Sequence, residues 1–377
     1  MLRCWLAVAC VLACGVPRAQ EVATPDPPKL PFKSHYLVDF DTGAVLAQSD
    51  ADEQRPPASL TKLMTAYVVF SALRDGRIRL DDEAPISEKA WRTGGTRMFV
   101  EVGSHVKVED LIHGMLIQSG NDASVALAEH VAGTVAAFVD LMNSRAAALG
   151  MTESVFHNPT GLPAAGHVST AHDLATLAKA LIADFPEYYG LYSQREYTYN
   201  GIRQHNRNSL LWRDPSVDGM KTGHTVAAGY CLVTSAQRDG MRLIAVIMGA
   251  ASVKARTEGA EQLLDYGFGA YETRKLYSAG EPLSVARVWG GSPHVTPLGL
   301  ARDLFVTIPR GYYPALSASM DLSAQLVAPL DEGTTVGQVK VRLAGNPLSQ
   351  VPLVVLGQVP EGGIWTRVVD KIDLWLE

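Results

Sequence analysis

Apolar positions along the chain switch period several times, and each switch marks an element. The stretch "HYLVDFDTGAVLAQSD", residues 35–50, alternates around Asp41-Thr42-Gly43 and predicts a hairpin. In "SLTKLMTAYVVFSAL", residues 59–73, the apolar side chains Leu60, Leu63, Met64, Tyr67, Val68, Phe70 and Leu73 recur at helical spacing. Pro56 and Pro57 forbid helix upstream, so the helix begins near Ser59. Helical periodicity continues over a block at roughly 108–190, and strands return from about 197 to 250. There, Gly229–Val233 and "MRLIAVIMGA" flank the turn Arg238-Asp239-Gly240, with Lys221-Thr222-Gly223 placed at a strand start beside this hairpin. A last helix, "RTEGAEQLLDYGFGAYE", ends near residue 272. Strands at both ends of a helical middle predict an α/β domain, an antiparallel sheet flanked by helices with a helical subdomain.

The pattern changes again at about residue 275. Short alternating runs such as "RDLFVTIPRG" and "VGQVKVRLAG", broken by Gly and Pro, predict a small all-β sandwich over 275–362. Residues 363–377 then draw one helical stripe from Ile364, Trp365, Val368, Val369, Ile372, Trp375 and Leu376, opposite Thr366, Arg367, Asp370, Lys371 and Asp373. Such a stripe suits an amphipathic anchor in a membrane interface, although a packed terminal helix would have the same pattern.

At the other end, Arg3 precedes the apolar run Cys4–Val16, too short to span a bilayer and right for a secretory signal over residues 1–19. Cys14 leaves a lipoprotein signal open. Such a signal predicts export. A Pro-rich linker, residues 20–33, reads as extended and weakly ordered. Composition adds exclusions. A net charge of −6 without any long basic run argues against nucleic acid. The ten histidines and four cysteines contain no metal-ligand spacing, so no metal and no cofactor are expected. Removing the signal leaves Cys231 alone, which rules out an internal disulfide.

Three short clusters carry candidate chemistry. Lys62 follows Ser59 by three residues, which puts its amine on the face of the serine hydroxyl, where a neutral lysine can take the proton. Ser119-Gly120-Asn121 interrupts two apolar helices, and Lys221-Thr222-Gly223 is the third cluster. Their order, with serine-to-serine and serine-to-lysine separations of 60 and 102 residues, resembles the Ser-x-x-Lys, Ser-x-Asn and Lys-Thr-Gly set of penicillin-binding proteins and serine β-lactamases. With "GNDASVALAEHVAG", "GIRQHNRNSLLW", "VDGMKTGHT" and "PLVVL", the chain from about residue 33 to its end looks like the low-molecular-mass D-alanyl-D-alanine carboxypeptidases.

That resemblance implies a penicillin-binding transpeptidase/β-lactamase-like domain over 34–274, the β domain and a membrane-binding tail. It implies Ser59 as nucleophile, Lys62 as base and Ser119 as proton relay. Asn121 would hold the substrate amide, and Lys221 would tune Ser119. Thr222, with Arg256 and Arg207, would receive the terminal carboxylate, while Gly223 completes the third motif. Backbone N–H groups of Ser59 and His224 would form the oxyanion hole. The implied partners are peptidoglycan pentapeptide, β-lactams as inhibitors, and inner-membrane lipid through the C-terminal helix. The segment around Gly94-Thr96 looks shorter than in some relatives. Three rivals stand beside this reading: a D,D-endopeptidase on cross-links, a serine β-lactamase and a non-enzymatic penicillin sensor. The β-lactamase is disfavoured because residue 120 is glycine and Glu153 to Asn158 is one residue too long for its deacylation element. The sensor is disfavoured because no apolar span of transmembrane length follows the signal.

Overall fold

The computed structural model describes residues 22–322 and 325–376, so the expected signal segment lies outside the described residues. The chain divides into two compact units, Pro25–Arg274 and one built on Lys275–Glu377.

The first unit is organised by a five-stranded antiparallel sheet. Its spatial order is Val45–Ser49, Ser34–Asp39, Met241–Ala250, Gly229–Arg238 and Val217–Thr225. Alternation along the strands sends successive side chains to opposite faces. Leu37, Leu243, Ala245 and Ile247 meet Ala260, Leu263, Leu264 and Phe268 of the helix Val253–Ala270. Tyr36, Val38, Ile244, Val246 and Met248 join the larger core built on the helices Thr61–Arg74, Asn121–Ala132 and Ala171–Asp184. The hairpin turn at Asp41-Thr42-Gly43 forms as its sequence predicts, with Thr42 donating to Asp39 Oδ1 at 2.8 Å.

Three expectations need correction. Lys221 is not at a strand start. It sits in the middle of a nine-residue edge strand, Val217–Thr225, paired with the strand Gly229–Arg238. Apolar alternation does not reveal this strand because burial runs unbroken from Gly219 to Gly223, through the polar Lys221 and Thr222, and Thr222 and Gly223 line the candidate site. The 108–190 block is also interrupted by an irregular segment between the helices Val135–Ala148 and Ala171–Asp184. Finally, the Pro-rich linker is extended but not weakly held, because Leu30 and Phe32 pack against the sheet-and-helix core.

In the second unit, a six-stranded sheet runs Leu316–Leu322, Thr335–Leu343, Asn346–Val355, Val295–Gly299, Ser284–Trp289 and Leu326–Val327. Its last pair is parallel and the others antiparallel. Val288, Leu298, Val339, Val341, Leu353 and Val355 form its core with Val306 and Ile308 of the strand Leu304–Pro309. The closing helix, Ile364–Leu376, attaches to this unit by its polar side. Asp370, 5 % exposed, accepts from the Gly290 backbone N–H at 2.7 Å and pairs with Arg287. Its apolar stripe is left outside, with Trp365 83 % and Trp375 85 % exposed. Among the described residues no helix is long and apolar enough to cross a membrane.

Candidate active site

Ser59 lies in a single 3₁₀ turn, Ala58–Leu60, that runs straight into the helix Thr61–Arg74. Ala58 before it holds the left-handed conformation at φ 49°, a strained geometry for a residue with a Cβ that turns the chain sharply into the helix. Lys62, one turn on, is completely buried, with its amine 3.1 Å from Ser59 Oγ. The same nitrogen lies 2.6 Å from Asn121 Oδ1 and 2.6 Å from the Thr160 carbonyl oxygen. Both of these partners can only accept. A neutral amine has two N–H groups for them and one lone pair left for the serine O–H. Burial lowers the Lys62 pKa to about 7, against the opposing pull of the Asp122 carboxylate, so this neutral form is accessible near neutrality. The geometry therefore prepares a serine nucleophile with its base already hydrogen-bonded to it.

Ser119 ends a π-helical turn, Gly114–Gln118, and itself adopts φ 69°, so the break expected at this cluster is present. Its neighbour Asn121 is engaged at both ends of its amide. Oδ1 accepts from Lys62, and Nδ2 donates to the Gly94 carbonyl at 2.7 Å. The side chain expected at the substrate amide thus has both ends of its amide engaged within the protein. Lys221 is buried too, its amine donating to the Thr222 carbonyl at 3.1 Å. Burial holds its pKa well below the ordinary lysine value, reinforced by Lys62, Arg207 and Arg256. Gly223 permits a close approach: a Cβ there would lie 3.2 Å from the Ser59 nitrogen and 3.1 Å from the Pro57 oxygen. This suits the glycine of the third cluster, since a Cβ there would press the edge strand against the nucleophile's turn.

A cavity of about 390 Å³ opens in front of these groups, lined by Ser59, Ser119, Thr222, Gly223, His224, Arg207 and Arg256. Thr96, from the short segment noted above, lines it too, with Tyr230 and Val253, neither of which stands out in the residue pattern. Tyr230 stacks on the exposed His224 ring with centroids 4.1 Å apart. Among the described residues no carboxylate lines the cavity, whereas two guanidinium groups do, which suits an anionic ligand. Arg256 is buried, and its Nε has no hydrogen-bond partner among the described groups. Arg207 is held by its Nε donating to the Gln118 carbonyl at 3.1 Å. Behind the strand, Cys231 is buried and its thiol is pushed up to about 11, leaving it an inert core residue.

The chain's first unit matches the family model described as D-alanyl-D-alanine carboxypeptidase over residues 21–252. The chain belongs to this family. Family members of this kind are serine peptidases, and Ser59 with the buried Lys62 amine beside it supplies the matching chemistry. Residues 271–361 match a second model, the C-terminal domain of penicillin-binding protein 5. The D-alanyl-D-alanine carboxypeptidase DacA of Escherichia coli (strain K12) is 43% identical over 93% of this chain and 89% of its own length. DacC of the same strain, which bears the same family name, is 44% identical over 93% and 89%. Crystal structures of penicillin binding protein 5 from Haemophilus influenzae superpose with a TM-score of 0.85 at 40% identity, covering 89% of this chain and 100% of theirs.

One part of the family site was invisible in the residue pattern. The Asn158–Leu162 turn, inside the block expected to be helical, brings the Thr160 carbonyl to Lys62. Gly161 makes this possible at φ 81°, where an added Cβ would lie 1.8 Å from the Ala58 oxygen and 2.9 Å from the Ser59 nitrogen. Gly161→Ala should therefore cost about 2–4 kcal/mol, combining overpacking with left-handed strain. It should also suppress labelling by penicillin. Urea unfolding alongside a labelling time course checks both, and an unchanged urea midpoint would refute the close packing.

Proposed function

We propose that this chain is a serine D-alanyl-D-alanine carboxypeptidase that removes the terminal D-alanine from peptidoglycan pentapeptides through an acyl-enzyme on Ser59. Penicillins acylate the same serine. The observation that carries this reading is the buried Lys62 amine, 3.1 Å from Ser59 Oγ and able to be neutral. Ser59 attacks the carbonyl of the penultimate D-alanine while Lys62 accepts its proton. The oxyanion develops against the backbone N–H groups of Ser59 and His224. Ser119 passes a proton to the leaving amine, and the departing D-alanine carries its carboxylate away from Arg256, Thr222 and Arg207. Lys221 acts through the local field. Asn121 holds Lys62 by its carbonyl, and would reach a substrate amide only after Nδ2 left the Gly94 carbonyl. Water then hydrolyses the ester, with Lys62 and Ser119 as the groups placed to activate it.

The decisive measurement is free D-alanine released from a pentapeptide compared with cleavage of a cross-linked dimer. Faster pentapeptide turnover is expected, and cleavage of the dimer alone would make the protein an endopeptidase. The unpartnered Arg256 Nε gives a second prediction. Arg256→Ala should impair hydrolysis of a peptide with a free carboxylate by roughly 10-fold to 100-fold, as expected for a lost charge-assisted contact. Turnover of a simple ester without that carboxylate should change little, and equal losses on both substrates would assign Arg256 a structural role.

The location belongs to the same proposal. An N-terminal signal exports the protein, and the helix Ile364–Leu376 holds it on the outer face of the inner membrane. Supporting this, the helix docks by Asp370 and presents its apolar stripe outward, opposite to a helix packed by its apolar face. Ending the chain at Gly363 should preserve D-alanine release and move the protein from the membrane to the soluble fraction. Continued sedimentation of the truncated form with membranes would place the anchor elsewhere.

A further inference from the structure

His167, 4 % exposed, lies in the irregular segment that also carries Thr160, and both its ring nitrogens have partners. The His157 backbone N–H points at Nδ1 from 3.2 Å, and since an N–H only donates, Nδ1 has no proton. Burial, with the His157 ring as a lesser cause, holds the imidazole pKa down to about 4, so the ring is neutral near pH 7. Its one proton is then on Nε2, which donates to Thr61 Oγ1 at 2.8 Å. Thr61 stands between Leu60 and Lys62, on the first turn after the serine.

The contacts nearby show what this bond closes. On the other side of Thr160, Thr65 Oγ1 donates to the Pro159 carbonyl at 2.7 Å. Asn158 Oδ1 accepts from the backbone N–H groups of Thr160, at 3.1 Å, and Gly161, at 2.8 Å, which stiffens the turn internally. Besides the Lys62–Thr160 contact itself, the segment is fastened to the helix at two points that bracket Thr160, Pro159 before it and His167 after it. His167 is tied to the turn by Asn158 Nδ2, 3.4 Å from its Nδ1, and its Nε2 bond reaches Thr61, the residue next to Lys62.

We propose that His167 is a positioning residue for the reaction: through Thr61 it clasps the Asn158–Leu162 turn onto the nucleophile's helix, and so keeps the Thr160 carbonyl at the Lys62 amine. This rests on the reading of Ser59 and Lys62 given above. Displacing an acceptor of the base by a fraction of an ångström weakens catalysis without touching the substrate, and misplacement of this kind costs on the order of 10-fold to 100-fold in rate.

The test uses the full-length protein and the acylation rate by a labelled penicillin, measured with heat stability for His167→Leu, His167→Gln, Thr61→Val and the His167→Leu/Thr61→Val double variant. His167→Leu and Thr61→Val should each slow acylation about tenfold or more, and the double variant should be no slower than the worse single one, because both remove one bond. His167→Gln keeps an N–H for Thr61 and an oxygen for the His157 amide, and should recover most of the rate. Multiplying losses in the double variant would overturn the proposal. So would a Gln variant as slow as the Leu variant, or a loss of heat stability at an unchanged acylation rate. If His167→Leu does not fold, Thr61→Val and His167→Gln still decide. Failure of the unsubstituted protein to be acylated would instead refute the underlying reading of Ser59.

Discussion

Ser59→Ala is expected to abolish covalent marking by a labelled penicillin and to lower D-alanine release by roughly 10³-fold or more, with the fold intact. Three observations combine to give so large an effect. Ser59 is the only hydroxyl within hydrogen-bond distance of the Lys62 amine among its described partners. It lines the cavity, and its backbone nitrogen faces the bare Cα of Gly223, where the edge strand makes its nearest approach. The hydroxyl contributes one hydrogen bond to the folded state, so its removal should change stability by only about 1 kcal/mol. Mass spectrometry of the labelled protein and a thermal melt separate the two effects. Labelling that persists at another residue of the alanine variant would sink the assignment.

The second large effect is on the pH profile. Lys62 must be neutral to accept the serine proton, and burial sets its pKa at about 7 in the folded protein. Acylation should therefore rise about tenfold per pH unit below that value and level off above it. Lys62→Met should reduce the rate by roughly 10³-fold and erase the inflection, since no other group is hydrogen-bonded to Ser59 Oγ among the described residues. A Met variant that retained the inflection would show that another group is the base. Linkage gives an independent check on the same pKa. Between about 7 and the ordinary lysine value of 10.5, the unfolded chain holds a proton that folded Lys62 has released. The contribution of Lys62 to stability should therefore increase as pH climbs through that window, and become least favourable below it.

The three short clusters point to the wider set of penicillin-binding proteins and serine β-lactamases, because each depends on local geometry, and longer segments such as "GNDASVALAEHVAG" and "GIRQHNRNSLLW" narrow it to the family. Ser59 and Lys62 share a face whenever that stretch is helical, and Pro56 and Pro57 fix where the helix starts. The strand at Lys221 was harder to see. Its burial runs unbroken from Gly219 to Gly223 and takes in the polar Lys221 and Thr222, so a pattern that identifies strands by apolar alternation does not show its extent. The Asn158–Leu162 turn was lost for a related reason. It contributes to the site by a backbone carbonyl, and every residue has one.

What the sequence by itself determined is therefore the inventory and the local frames. These include the nucleophile with its lysine one turn away, the break at Ser119, the change to β structure near residue 275 and the apolar stripe of the last helix. What only the tertiary structure decided is the chemical state of those groups. Lys62 becomes a base because folding buries its amine completely, while Asn121, 59 residues away, and Thr160, 98 residues away, accept two N–H groups and leave the lone pair to Ser59. Arg256 is left with an unpartnered Nε because the helix start and the edge of the sheet close around it. The terminal helix faces outward because Asp370, one polar residue among several in its sequence, finds the Gly290 amide. Desolvation and hydrogen-bond direction are properties of neighbours brought together by folding, and no local pattern of residue types encodes them.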